Sequence, residues 1–156
     1  MFIENLKVTG KLNILLTDAQ GVIKEQRDVN NLVVTAGKNW IATRLKDVGI
    51  GTQMTHMGVG SGTTAAAITD TALVTALTGG TWSNARVLIT NGTGAVTNNT
   101  IVYEGVFGAG VGTGSVTEAG MFNATSAGTM LCRTVFSVVN KAATDVLTIQ
   151  WTVTIS

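Results

Sequence analysis

The chain contains no proline, one cysteine, one histidine and only nineteen charged side chains in 156 residues. A single Cys132 cannot close an intramolecular disulfide, and one histidine with one cysteine cannot complete a zinc ligand set. Calcium would need a dense Asp-rich loop, which the scattered carboxylates do not form. With no proline, the punctuation between segments falls to Gly, Asn and Asp. No apolar run reaches the 18 or so residues of a membrane span, and no signal-peptide core follows Met1. These gaps point to a chain made in a reducing cytoplasm, with no membrane, metal or cofactor in its chemistry. Formal charge is +1, from ten Lys and Arg against nine Asp and Glu, so no global field recruits a polyanion, and direct nucleic-acid binding is disfavoured.

Charged residues make up 12% of the chain against about 25% in ordinary soluble domains. Thr (26 residues), Gly (19 residues) and Val take their place, a β-rich composition. At this length one domain is expected, and about 68–70% of the unfolded surface can be buried without a covalent staple. So little charge would leave a free monomer poorly solvated, which favours burial of outer surface in an assembly, including a homo-oligomer.

Alternation marks most of the chain. Leu6, Val8, Leu12, Ile14 and Leu16 take the period of a strand, with Gly10 as a bulge or close approach. Asp18-Ala19-Gln20-Gly21 supplies turn chemistry, and Val22 to Asn31 returns, carrying Lys24, Glu25, Arg27 and Asp28. From Thr35, the expected cap, the spacing of Trp40, Ile41, Arg44, Leu45 and Val48 predicts an amphipathic helix over about residues 36–47, stopped by Gly49 and Gly51. Met54 to Gly60 reads as a short strand. The pattern also allows a second short helix over Thr71–Leu77, capped by Asp70, with Ala65–Ala67 as a rival start. Strand-length runs follow at Trp82–Thr90, Thr100–Phe107, Ser115–Phe122, Thr129–Val139 and Val146–Ile155. In the last, Leu147, Ile149, Trp151, Val153 and Ile155 form the core face. Short turns without intervening helices predict a mainly β fold, an antiparallel β-sandwich or barrel, as a single domain over residues 1–156. If Phe122 opposes Thr129, Glu118 lies opposite Arg133, predicting a cross-strand ion pair that fixes register.

Catalytic constellations are missing. His56 lies in an apolar strand, and Cys132 alternates within another, with nothing to lower its thiol pKa. Gly58-Val59-Gly60-Ser61-Gly62-Thr63-Thr64 lacks the lysine of a phosphate loop. Gly108-Ala109-Gly110-Val111-Gly112-Thr113-Gly114 repeats glycine every second residue between two strands, unlike the dinucleotide fingerprint. That second run reads as a hairpin loop able to adapt to a neighbour. Trp40, Trp82, Trp151, Phe107, Phe122 and Phe136 suit a core or buried interface, since no basic groove accompanies them. The Asn-x-Thr triplets at Asn91, Asn98 and Asn123 are expected by chance in a Thr-rich chain. A non-enzymatic building block is the expectation.

Five strings carry a resemblance: Asn31-Leu-Val-Val-Thr-Ala-Gly-Lys38, Met57-Gly-Val-Gly-Ser-Gly-Thr-Thr-Ala65, Glu118-Ala-Gly-Met-Phe-Asn123, Met130-Leu-Cys-Arg-Thr-Val-Phe136 and Trp151-Thr-Val-Thr-Ile-Ser156. In this order, over about residues 29–156, they resemble small virion structural proteins of tailed bacteriophages, and the Glu118–Phe136 hairpin is the most specific part. Members of that family include capsid cement or decoration proteins and tail-fibre proteins. The resemblance implies a virion component made in a bacterial host cytoplasm; on the shell its partner would be the major capsid protein. A tail fibre, adaptor or baseplate subunit is the alternative. The chain has no fixed-period shaft repeat, which favours capsid cement. The expected contact residues are Met1, Phe2 and Ile3 of the N-terminal arm, Lys24 and Arg27 of the first hairpin (together residues 1–31), and Gly108, Gly110, Gly112 and Gly114.

Overall fold

The computed structural model describes residues 6–45, 52–78, 86–90 and 95–156. Among these residues the elements run β1 (Val8–Thr17), β2 (Ile23–Val33), α1 (Thr35–Leu45), β3 (His56–Gly60), β4 (Arg86–Leu88), β5 (Ala95–Thr97), β6 (Thr100–Phe107), β7 (Gly114–Phe122), β8 (Met130–Lys141) and β9 (Val146–Ile155). Every strand pairing is antiparallel, in the order β4-β3-β7-β8-β2-β1-β9-β6-β5. The sheet curls until its ends meet. Ile89 bridges to Gly105 of β6, and the Thr90 N–H donates to the Glu104 carbonyl at 2.8 Å. The fold is mainly β, a curled antiparallel sheet of the barrel or sandwich kind.

Alternation in β1 and β9 explains the core. Their register sets Leu12 opposite Trp151, Ile14 opposite Ile149 and Leu16 opposite Leu147, and β6 adds Tyr103 and Phe107 to the same face. All are buried, whereas Gln150, between Ile149 and Trp151, is exposed. A slip of one residue would turn the whole row to solvent, so burial enforces the register. Met57, Val59, Ala119 and Met121 close the core from β3 and β7. Close approach depends on Gly105, where a Cβ would lie 3.0 Å from the Met57 sulfur. Strand β2 pairs with β1 along its length but with β8 only at Leu32 and Val33, so it turns the corner between the two halves. At Gly10 the close approach is to the Asn31 side chain, which occupies the space a Cβ would need.

Three local readings are corrected. The helix spans Thr35–Leu45, and its first turn closes from the Lys38 N–H to the Val34 carbonyl at 3.0 Å, so the cap is buried Val34, while the Thr35 N–H bonds the Ile68 carbonyl at 2.8 Å. Its inward face is narrow: Gly37 is buried, Trp40 and Ile41 pack partly on the core, and Leu45 is 78% exposed. Residues 46–51, including Val48 and both stop glycines, lie outside the described residues. No helix forms over Thr71–Leu77 or at Ala65–Ala67. Ala76 bridges to Gly60, the Ser61 N–H bonds the Thr75 carbonyl at 2.8 Å, and the Leu77 N–H bonds the Val59 carbonyl at 3.0 Å. Tertiary partners for these backbone groups outweigh the helix propensity of a short alanine-bearing stretch. Finally, β5 pairs with β6 around a turn in which Asn98 takes a φ of 54°, a strand that the alternation did not reveal.

Candidate functional site

Strand directions sort the expected contact residues. β1 ends and β9 begins at the same place, where Thr17 faces Val146, and there Phe107 of β6 faces Leu147 and Gly114 of β7 faces Lys141. One end of the fold therefore carries the 18–22 turn, the glycine loop 108–113 and the 142–145 turn. Lys24, Gly108 and Gly110 come together there. Lys7 lies at the other end, exchanging backbone hydrogen bonds with Ser156; ten strand residues at about 3.3 Å each separate the two. Met1, Phe2 and Ile3 lie outside the described residues.

Each connection at this end is held from within. The Asp18 carboxylate accepts the N–H groups of Gln20 and Val22 at 2.9 and 2.8 Å, and Gly21 takes a φ of 80°. The buried Lys141 ammonium donates to the Gly108 carbonyl at 2.9 Å and to the Asp145 carbonyl at 2.7 Å, tying the glycine loop to the neighbouring turn. The Gly110 N–H reinforces this by donating to the Ala143 carbonyl at 2.7 Å. Asp145 accepts from Lys24 at 2.6 Å and from the Ala142 N–H at 2.9 Å. These two hydrogen bonds, Lys24 first, hold its carboxyl below the usual range, while burial pulls the Lys141 ammonium below its own and the nearby Asp145 charge opposes that fall.

Two of the expected contact residues do other work. Gly112 is buried, and its φ of 63° serves the turn. Arg27 is half-buried, pairs with Glu25 and donates to the Ser137 carbonyl of β8, so it spans the gap where β2 and β8 diverge. Gly110 and Gly114 also have positive φ, 77° and 130°, whereas Gly108 does not, and a Cβ there would meet nothing within 4 Å. Val22 and Ile23, 61% and 58% exposed, add apolar surface beside the loop. This end presents backbone and exposed Val22 and Ile23 on loops tied together by Lys141 and Asp145.

The Glu118–Arg133 pair lies elsewhere and is fully buried. Arg133 donates from Nε and Nη2 to Glu118 Oε2 at 2.9 and 2.8 Å, from Nη1 to Asp70 at 2.8 Å and from Nη2 to the Thr64 carbonyl at 2.9 Å. Glu118 also accepts the N–H groups of Gly62, Val74 and Thr75 at 3.1, 3.1 and 2.8 Å. The expected register is wrong by two residues: Arg133 faces Gly120, and Glu118 faces Val135. Phe122 faces Met130 instead of Thr129, and the irregularity between Met121 and Phe122 adds the second residue of the shift. A shift of two preserves the face, so the long arginine side chain still reaches the carboxylate diagonally. Asp70, expected as a helix cap, instead accepts the Ala67 N–H and Arg133. The clue to this third member was the donor count of arginine, which one carboxylate cannot fill. The network clasps the 61–76 segment to the β7–β8 hairpin.

His56 and Cys132 sit on β3 and β8, which β7 separates. Cys132 is fully buried, and burial pushes its thiol well above the usual range, so at neutral pH it remains protonated. Burial first, and the Arg86 charge second, hold the His56 imidazole below its ordinary value of 6.5. The unfolded chain then takes up the proton more readily than the fold. Stability from neutral His56 is therefore complete above about pH 6.5 and declines as pH falls below it. Wild-type protein is expected to melt at lower temperature at about pH 5.5 than at about pH 7.5. His56→Gln is expected to lose part of that difference in thermal melts, and equal pH sensitivity in both proteins would refute the assignment. Among the described residues no group of three or more His, Cys, Asp or Glu could hold a metal ion, and no helix is long and apolar enough to cross a membrane. Comparison with protein-family models, with curated proteins and with solved structures finds no match to this chain.

Proposed function

We propose that this protein is a structural component of a bacteriophage virion, a cement or decoration protein that binds the outer shell at joints between major capsid subunits and stabilises it. The observation that carries the reading is the resemblance of the five strings, above all Glu118–Phe136, to small phage virion proteins. Scarce charge and the end formed by the 18–22 turn, the glycine loop and the 142–145 turn support it. There, exposed Val22 and Ile23 lie beside backbone held in place by Lys141 and Asp145. Preordered loops lose less conformational entropy on docking than free ones, and several weak contacts made by one homo-oligomer multiply through avidity. Met1, Phe2 and Ile3 would supply a second contact from the arm.

Gly108 makes the clean test. A side chain there has room and no backbone strain, whereas Gly110 lies at positive φ, where a substitution would also strain the loop. Gly108→Arg is expected to leave the unfolding midpoint unchanged and to lower occupancy on purified capsids at least tenfold. Undiminished occupancy would remove the loop from the contact. Localising the protein in a reconstructed virion tests the reading as a whole: many copies over the shell support it, and a few copies confined to the tail refute it.

A further inference from the structure

Arg86 begins β4 and projects from the same face of the β3–β4 pair as its partner Gly58. Its guanidinium lies over the Phe122 ring, 3.4 Å from the centroid, and Nη1 donates to the carbonyls of Ala124 and Ala127, both at 2.9 Å. These contacts fix the plane of the group and fill one of its edges. Other buried or half-buried cations here have acidic neighbours: Arg133 has Glu118 and Asp70, Arg27 has Glu25, and Lys141 has Asp145 nearby. No carboxylate among the described residues pairs with Arg86, and its Nε–H and Nη2–H donors have no partner among the described residues. The side chain borders a cavity of about 300 Å³ walled by Gly58, Thr71, Ala72, Leu73, Ala76 and Gly128. That volume is at the lower end for small-ligand sites.

We propose that the Arg86 cavity is a carboxylate-binding site. The Nε and Nη2 donors form a side-on fork that matches the two oxygens of a carboxylate, and the ring and carbonyls hold that fork in place before the ligand arrives. A single positive charge balances a monoanion. A phosphate dianion would be left half-compensated against walls of Ala, Leu, Gly and one Thr, because no second basic side chain among the described residues lines the cavity. The site therefore takes a compact carboxylate, either a small free acid or an acidic side arm of a protein. It stands independently of the virion reading.

His56, the one histidine of the chain, lies two residues before Gly58 and feels the Arg86 charge, so its ring resonances report on the cavity. Titrating the intact protein with sodium acetate at constant pH and ionic strength is expected to shift the His56 signals saturably, with chloride producing no such shift. Arg86→Met should weaken acetate binding at least tenfold. Ala72→Leu, which crowds the cavity but leaves the guanidinium alone, should weaken it as well while the protein stays folded. A short blocked peptide bearing one glutamate, compared with its glutamine counterpart, separates the sources. Glutamyl peptide at least tenfold tighter than acetate assigns a protein side arm, and acetate equal or tighter assigns a small free acid. No saturable shift with any carboxylate, an unchanged affinity in Arg86→Met, or inorganic phosphate binding more tightly than every carboxylate would overturn the proposal.

Discussion

Replacing Arg133 by methionine lowers the free energy of unfolding by about 3–5 kcal/mol, the range for breaking a buried ion pair from one side. The magnitude follows from what remains. Glu118, at 0% exposure, is left with only the Gly62, Val74 and Thr75 N–H groups, the Thr64 carbonyl loses its arginine donor, and Asp70 keeps only the Ala67 N–H. Glu118→Gln costs less, because the amide oxygen still accepts backbone N–H groups while Arg133 retains Asp70. Removing both partners, as Arg133→Met with Glu118→Gln, costs less than the sum of the single losses, since neither charge is then stranded. Guanidinium unfolding of the four proteins measures this cycle. A loss below about 1 kcal/mol for Arg133→Met, the value of an exposed pair, would show that the clasp is solvated.

Gly37→Ala destabilises the protein by about 1–3 kcal/mol, the usual cost of overpacking. The sign is the informative part, because Gly→Ala in an open helix interior stabilises by about 0.5–1 kcal/mol. Gly37 rests on the backbone of Leu131 in β8, and a Cβ there would overlap the Leu131 carbonyl. That same carbonyl accepts the Val34 N–H at 3.2 Å, the bond that joins the start of the helix to the sheet. To admit a methyl group, α1 must lift from β8 and weaken this bond together with the packing of Trp40 and Ile41. Chemical unfolding of wild type and variant decides the matter. A stabilised Gly37→Ala protein would mean that the helix is not seated on β8.

Fold class and the geometry of the glycine-loop end were legible to different degrees. The alternation of Leu147, Ile149, Trp151 and Val153 identifies strand and inward face together, because a period of two admits one solution once a face is buried. The Asp18–Gly21 turn was equally readable, since its hydrogen bonds are local. By contrast, the glycine loop could be recognised as a loop but not as an anchored one. Its hold comes from Lys141 and Ala143, across a different hairpin, and Arg27 is turned to the Ser137 carbonyl of β8 for a similarly non-local reason. The Arg86 cavity left no sequence signal at all, for it needs β3, β4, the 71–76 segment and the 124–128 loop to meet.

By itself, the amino-acid sequence determined a β-rich chain with most of its strands, one helix and the pairing of Glu118 with Arg133. Those features depend on composition, on period and on side-chain parity, which survives a two-residue shift in register. Tertiary structure alone decided that register, the third member of the ionic clasp, the loss of a helix over Thr71–Leu77 and the closure of the sheet through Ile89 and Gly105. In each case a backbone or charged group chose among partners distant in sequence, and burial away from water made the unsatisfied choices too costly.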